Sequence, residues 1–236
     1  MPDKPVLVLV HSPLLGPSMW KWVAQELHDG GRSAVVPSLA PRPAVRSPLW
    51  RHVCAEVNRA SQPAETVVVV GHSAAGTLLP AVAESLSAEV AGMVFVDAFL
   101  PPSGGAASLV PAEFIAELRA RATDDVLPPW STWFGEGAMQ DLVPDPGRQR
   151  ELERDMPAVR LSSLLEPLPM PQHWERRSCA YVLLSAEPYA RSAADARARG
   201  WPVAEIPGGK HLDPVRRPRD VVGALLEVER AMLGGG

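Results

Sequence analysis

The sequence predicts an α/β fold in which a mostly parallel sheet of about six strands is flanked by helices. Short runs of β-branched and aliphatic residues, such as residues 6–10 and 66–70, are apolar on both faces. Such runs are typical of strands buried inside a parallel sheet. Segments with apolar residues at helical spacing follow several of these runs, for example residues 19–28 and 74–86. This alternation of strand and helix favours a parallel sheet with helices on both faces.

Each element is assigned in chain order from these patterns. Strands are assigned where β-branched and apolar residues run together for four to seven positions, and helices where apolar residues recur every three or four. Two consecutive glycines end the first helix. The predicted strands are residues 6–10, 33–37, 66–70, 90–96, 179–184 and 203–206. The predicted helices are residues 19–28, 49–59, 74–86, 111–122, 190–199 and 218–233.

The alternation is interrupted between residues 101 and 178, a proline-rich segment with one convincing helical pattern. We therefore expect an α/β core formed by residues 1–100 and 179–236. Residues 101–178 are expected to form a helical, proline-rich cap, inserted after the strand that ends near Asp97. The chain of 236 residues can bury one substantial core, and its length requires no second independent domain.

Composition excludes several classes of function. The net charge of −4 gives no basic field, so nucleic acid is not an expected partner. No apolar run approaches the ~20 residues of a membrane helix, and two cysteines are too few for a disulfide framework. We therefore expect a cytoplasmic protein that acts on a small molecule. Neither metal-ligand spacing nor a dinucleotide motif occurs, so no metal or cofactor is expected.

Residues 71–76, Gly-His-Ser-Ala-Ala-Gly, lie between a predicted strand of valines and a predicted helix. A serine on such a sharp strand-to-helix turn projects its hydroxyl over the sheet edge, which makes Ser73 the candidate nucleophile. The turn requires small neighbours, and Gly71, Ala75 and Gly76 meet that requirement. The pattern G-x-S-x-G is matched except at Ala75. A glycine-rich turn with a capping serine is the alternative interpretation.

A serine hydroxyl becomes a good nucleophile only when a base takes its proton. In proteins with this kind of turn the base follows the serine in the chain, and two histidines do so here. His173 lies in the proline-rich segment. His211 follows the last predicted strand, in a glycine-containing loop that can reach the strand ends, so we predict His211 as the base. A surface histidine is the alternative.

With these features the chain resembles the α/β-hydrolase superfamily over essentially its whole length. It looks like the small capped esterases and lyases that open with H-G-x-x-x-G followed by a tryptophan. The matching residues are 11–16, His-Ser-Pro-Leu-Leu-Gly, and Trp20. The resemblance implies a cap after the strand ending near Asp97 and a Ser-His-acid triad.

Two carboxylates are candidates for the acid. Asp97 ends a buried strand, whereas Glu187 follows the strand at 179–184, where most members of the superfamily keep the acid. Some haloalkane dehalogenases place the acid at the earlier strand end, with a similar spacing from the nucleophile. We prefer Asp97 and keep Glu187 as the alternative.

The oxyanion hole departs from the pattern of the superfamily. Such a hole needs two donors, and the N–H of Ala74, directly after the nucleophile, is expected to be one. The resemblance places the other at the position of Pro13, which has no N–H. Either the Ser12 hydroxyl or the Leu14 N–H must replace this donor, and we select Ser12. If neither does, the hole has only one donor.

The sequence therefore predicts a serine hydrolase that cleaves an ester, lactone or thioester of a small to medium apolar substrate. Aromatic residues of the proline-rich segment, chiefly Trp130, Trp133 and Trp174, would supply apolar walls for it. Two alternatives stay open. One is a lyase or cyclase that uses the same serine and histidine as a proton relay, which Pro13 favours. The other is a non-catalytic ligand-binding member of the fold.

Overall fold

A computed structural model describes residues 4–39 and 48–234 of the chain. The parts of the expected core at residues 1–3, 40–47 and 235–236 lie outside the described residues. The strands are β1 Val6–Val10, β2 Ala34–Val35, β3 Thr66–His72, β4 Glu89–Val96, β5 Gly105–Ala107, β6 Val126–Leu127, β7 Val159–Arg160, β8 Leu168–Met170, β9 Cys179–Leu183 and β10 Val203–Glu205. The α-helices are α1 Ser18–Asp29, α2 Leu49–Ser61, α3 Ala75–Ser85, α4 Ile115–Arg121, α5 Ala138–Leu142, α6 Pro146–Asp155, α7 Leu161–Leu164, α8 Ala186–Ala198, α9 Asp213–Arg216 and α10 Pro218–Leu233.

Six of these strands form one sheet in the order β10-β9-β4-β3-β1-β2, and every neighbouring pair is parallel. Helices cover both faces, which confirms the predicted fold class. The strands are those expected from the sequence, although β2 is reduced to Ala34–Val35. No helix within the two described ranges has the length and apolar character needed to cross a membrane.

Alternate side chains of β3 explain the two layers of the core. Val67 and Val69 pack on one face with α2 and α3, whereas Val68 and Val70 pack on the other with α1 and α10. All four valines are fully buried. A strand buried on both faces cannot show an apolar and polar alternation, which is why β3 is a continuous run of valine.

The segment between β4 and β9 contains more structure than the sequence indicated. Two short antiparallel pairs, β5 with β8 and β6 with β7, occur beside α4 to α7. The helix expected at 111–122 begins as a 3₁₀ turn at Ala112–Phe114 and continues as α4. Asp145 caps the N-terminus of helix α6, and its carboxylate accepts hydrogen bonds from two backbone N–H groups of the first turn. That the segment acts as a cap remains a prediction.

The register of the central strands positions the candidate site. His72 of β3 lies opposite Val96 of β4, and Val96 lies opposite Val182 of β9. The three parallel strands therefore end at the same edge of the sheet. The residues that follow them, Ser73, Asp97 and the loop after β9, come together there.

A buried ion pair links the end of the chain to the loop before β2. Arg32 donates hydrogen bonds of 2.6 and 2.7 Å to the two carboxylate oxygens of Glu229 in α10. Each side chain is only 9% exposed. Buried charges of this kind are stable only while both partners are present, because each has lost its hydration.

We expect Glu229→Gln to lower the free energy of unfolding by about 3 kcal/mol, since it leaves the Arg32 charge buried and unpaired. The double variant Arg32→Met/Glu229→Leu should recover most of that loss. Urea unfolding monitored by circular dichroism measures both. Glu26→Gln, which breaks the exposed pair with Arg219, is the control and should cost under about 0.5 kcal/mol. A single-variant cost no larger than the control would contradict the prediction.

Candidate active site

Ser73 occupies the turn between β3 and α3 with a left-handed backbone, at φ = 58°. Its N–H donates to the carbonyl of Val96 at 3.1 Å, and its own carbonyl accepts from Gly76 N–H at 3.0 Å. A residue with a β-carbon in this conformation is strained by about 1–3 kcal/mol, and these backbone bonds hold it there. Ser73 thereby lies at the start of α3 and lines a cavity at the strand edge.

The neighbours of Ser73 are small for steric reasons. A β-carbon at Gly76 would lie 2.4 Å from the β-carbon of Ala98, and one at Gly71 would lie 2.8 Å from the side chain of Leu79. Either contact would force the turn away from β4 or the helix away from the strand. The glycine that follows Ala75 therefore serves the packing of α3 against the chain after β4.

Asp97 follows β4 and is completely buried. One carboxylate oxygen accepts from the N–H groups of Leu184 at 2.6 Å and Ser185 at 3.0 Å. The other accepts from the Ser185 hydroxyl and from Nδ1 of His211, at 3.0 Å. A buried carboxylate needs such a set of donors, because without them its loss of hydration would be too costly.

The His211 imidazole is enclosed by aromatic rings. Tyr189 stacks on it with a centroid distance of 5.1 Å and an interplanar angle of 11°. The ring of His72 lies 4.3 Å away, and its Nε2–H donates to the His211 carbonyl at 2.9 Å. Burial lowers the pKa of His72 well below its usual value, so this ring is neutral. The bond from Nδ1 to Asp97 leaves Nε2 of His211 as the basic nitrogen.

A cavity of about 430 Å³ contains both Ser73 and His211 in its lining. Glu187 also lines this cavity, but its side chain is exposed and has no hydrogen bond or ion pair within the described ranges. The structure therefore pairs His211 with Asp97 and not with Glu187. The catalytic roles of Ser73, His211 and Asp97 remain predictions.

The two expected oxyanion donors differ in their availability. Ala74 lines the cavity, and its N–H has no acceptor among the described residues. Ser12 is 1% exposed and does not line the cavity. Its hydroxyl oxygen accepts from the Leu14 N–H at 3.3 Å. The two candidates for the second donor, Ser12 and Leu14, are thus bonded to each other, and Leu14 is the one that reaches the cavity wall.

The walls of the cavity are mainly aromatic and aliphatic. Trp130 and Trp133 line it, and their contact with a substrate stays a prediction. Trp174 requires a correction, because it does not line the cavity. It is 1% exposed, packs against Phe95 and Trp201, and donates from its indole N–H to a backbone carbonyl at 2.8 Å. A proline-rich segment with several aromatic residues does not reveal which of them belong to the core.

Three residues at the site escaped the sequence analysis, namely Ser185, Tyr189 and His72. Ser185 directly follows a predicted strand, and a polar residue at that edge of a parallel sheet is a signal that could have found it. His72 directly precedes Ser73, but its contact with His211, in the loop after β10, is not apparent from the pattern. Nothing in the sequence distinguishes Tyr189 from a surface residue of α8.

The fold and the serine turn at the strand edge define the class as an α/β hydrolase. The sequence of residues 7–224 matches the alpha/beta hydrolase family, and the chain belongs to that family. No curated protein matches the chain by sequence.

Solved structures with the same fold include polyneuridine aldehyde esterase, at 19% identity and a TM-score of 0.72, covering 96% of this chain and 100% of that one. An extracellular alpha/beta-hydrolase from a Paenibacillus species is 18% identical, with a TM-score of 0.70 and coverage of 95% and 99%. Tomato methylketone synthase I, as a variant, is 15% identical, with a TM-score of 0.70 and coverage of 98% of both chains. At these identities the likeness shows the fold.

His11, at the start of the loop after β1, holds that loop as a neutral imidazole. Its Nδ1–H donates to the Ser12 carbonyl at 2.8 Å, and its Nε2 accepts from Leu39 N–H at 3.4 Å. Burial lowers its pKa from 6.5 to about 4. Protonation would convert Nε2 into a donor and break the bond from Leu39.

Stability should therefore fall as the pH falls from 6.5 to 4. In this window the unfolded chain binds a proton at His11 that the folded protein does not, and the total loss is about 3 kcal/mol. The burial of neutral His72 acts in the same direction. Urea unfolding across this range, compared between wild type and His11→Asn, measures the contribution. If the free energy of unfolding falls with pH as steeply in the variant as in the wild type, the prediction is wrong. The difference between the two proteins at pH 7.5 gives the separate cost of losing the contacts of the His11 ring.

Proposed function

We propose that the protein is a serine hydrolase that cleaves an ester, lactone or thioester of a small to medium apolar substrate. The observation that carries this proposal is the shared cavity. Ser73, on a left-handed turn, and His211, hydrogen-bonded to the buried Asp97, both line it. A nucleophile, a base and a group that orients the base are the three parts that acyl transfer to a serine requires.

In this function His211 Nε2 takes the proton of the Ser73 hydroxyl as its oxygen attacks the carbonyl carbon. Asp97 fixes the tautomer of His211 and stabilises the imidazolium that forms. The Ala74 N–H donates to the oxygen that becomes negative. His211 then protonates the leaving group, and a water molecule activated by His211 hydrolyses the acyl-enzyme.

The substrate is apolar because the cavity walls are. Phe99, Phe114, Trp130 and Trp133 all line the cavity, and His211 is its one basic side chain among the described residues. The volume of about 430 Å³ suits a small to medium molecule. Residues 101–178 supply many of these walls and act, in this proposal, as the cap. Among the similar structures, one is named polyneuridine aldehyde esterase and another a pyrethroid hydrolase, which agrees with ester cleavage.

A lyase or cyclase is the second candidate, and the region of Pro13 favours it. Pro13 offers no N–H, and the N–H of Leu14 is bonded to Ser12. Loss of one oxyanion donor typically costs ~10²–10³ in turnover for acyl transfer. A proton-relay reaction that builds no oxyanion on a carbonyl would not suffer this loss. One similar structure, methylketone synthase I, is named as a synthase.

A cytoplasmic location remains a prediction, and another similar structure is described as extracellular.

Ser73 should form a covalent acyl-enzyme, because its hydroxyl is the attacking group. We expect a fluorophosphonate to label the wild type once per chain, and mass spectrometry to locate both this label and a trapped acyl group on Ser73. Both should be absent in Ser73→Ala. Ester turnover should fall similarly in Ser73→Ala and His211→Ala, since triad members act as a unit. Labelling without any acyl-enzyme would favour the lyase or cyclase.

The acid is tested by two matched amide substitutions. Asp97→Asn should lower kcat by about 10⁴-fold, because an amide in place of the carboxylate favours the wrong tautomer of His211. Glu187→Gln should have a mild effect, since Glu187 has no bond to His211 in the described structure. Steady-state kinetics on one ester compares the two variants. A larger loss of kcat in Glu187→Gln than in Asp97→Asn would identify Glu187 as the acid.

A further inference from the structure

Helix α8, directly after β9, brings the phenol of Tyr189 to the candidate site. Tyr189 is 7% exposed and lines the same cavity as Ser73. Its ring stacks on His211, and Phe99 packs against it at a centroid distance of 5.0 Å. These two aromatic contacts hold the phenol ring in place.

The phenol of Tyr189 and the hydroxyl of Ser73 line the same cavity, and Tyr189 stacks on the predicted base. Burial raises the pKa of Tyr189 to about 12, and the nearby Ser73 hydroxyl lowers it, which opposes that effect. At neutral pH the phenol is consequently protonated, so it can donate a hydrogen bond without giving up its proton. The residue is suited to stabilise negative charge on an oxygen, and unsuited to act as a general acid.

The order of the strands indicates which oxygen the phenol serves. The loop after β1, with Ser12 and Leu14, lies on one side of β3, whereas β4, β9 and β10 lie on the other. Tyr189 and His211 follow β9 and β10, so both approach Ser73 from the side opposite to the loop after β1. The leaving group departs towards the histidine that protonates it. The Tyr189 hydroxyl is thus on the leaving-group side of the serine.

We propose that Tyr189 is a catalytic residue whose phenol donates a hydrogen bond to the leaving-group oxygen as its bond to the acyl carbon breaks. This inference rests on the proposed serine hydrolase function. The electron pair of the broken C–O bond passes to the leaving oxygen, which takes its proton from Nε2 of His211. Tyr189 keeps its own proton throughout. The loop after β1 stabilises negative charge on the carbonyl oxygen poorly, because Pro13 has no N–H and the Leu14 N–H is bonded to Ser12. The hydrogen bond from Tyr189 compensates by stabilising negative charge on the leaving-group oxygen.

The test is a series of esters with one acyl group and different leaving groups. Wild type and Tyr189→Phe are compared on p-nitrophenyl, phenyl and ethyl butyrate, with kcat/KM as the measure because it reports the acylation step. A nitrophenolate needs little stabilisation, whereas an alkoxide needs much. We expect kcat/KM of Tyr189→Phe to fall about threefold for the nitrophenyl ester and about 10²-fold for the ethyl ester, the size of one lost donor.

Tyr189→Leu is the matched control because it removes the ring as well as the hydroxyl. It should lower kcat/KM further for every ester, by releasing the His211 ring. An equal loss across the series in Tyr189→Phe, or no loss, would overturn the catalytic role and leave Tyr189 as a support for His211. The same assay tests the underlying function separately. Absence of Ser73-dependent ester turnover together with absence of any acyl-enzyme on Ser73 would reject the serine hydrolase, and the role of Tyr189 with it.

Discussion

The burial of one carboxylate, that of Asp97, is the constraint on which the site depends. An ionised carboxylate without exposure to water is tolerated only when hydrogen-bond donors surround it. The chain supplies these donors from the end of β9, through Leu184 and Ser185, and from the loop after β10, through His211. The loop after β9 and the loop after β10, both far from β4 in the sequence, must therefore pack against the end of β4. The position of the imidazole follows from this requirement.

The position of Ser73 follows from a different constraint, the parallel register of the sheet. Because β3 and β4 end level with each other, the backbone of Ser73 can bond to Val96, the residue before Asp97. The hydroxyl and the carboxylate are then fixed relative to each other by a single pair of strands. His211 is placed by the carboxylate and by the hydrogen bond that His72, next to Ser73, donates to its carbonyl, so the serine turn and the histidine loop meet at one cavity.

The fold could be predicted from the sequence because its signals are local. The valines of β3, the small residues around Ser73 and the helical spacing of α1 each reflect an interaction within a few residues of the chain. The pairing of His211 with Asp97 and not Glu187 could be stated only as a preference, since it depends on the order in which β9 and β10 follow β4 across the sheet. The core position of Trp174 and the stacking of Tyr189 were not predictable. Both result from packing between segments that no periodicity relates.

The separation of β4 from β9 has a consequence for the evolution of the protein. The two strands are neighbours in the sheet, yet about 80 residues lie between them in the chain. The entropy of closing such a loop grows only with the logarithm of its length, so that doubling it costs about 0.6 kcal/mol. Insertions and deletions at the parts of this segment that lie outside the core are therefore inexpensive for the sheet. Descendants of one such chain can diversify in the ligands they accept while the strand edge beneath stays unchanged.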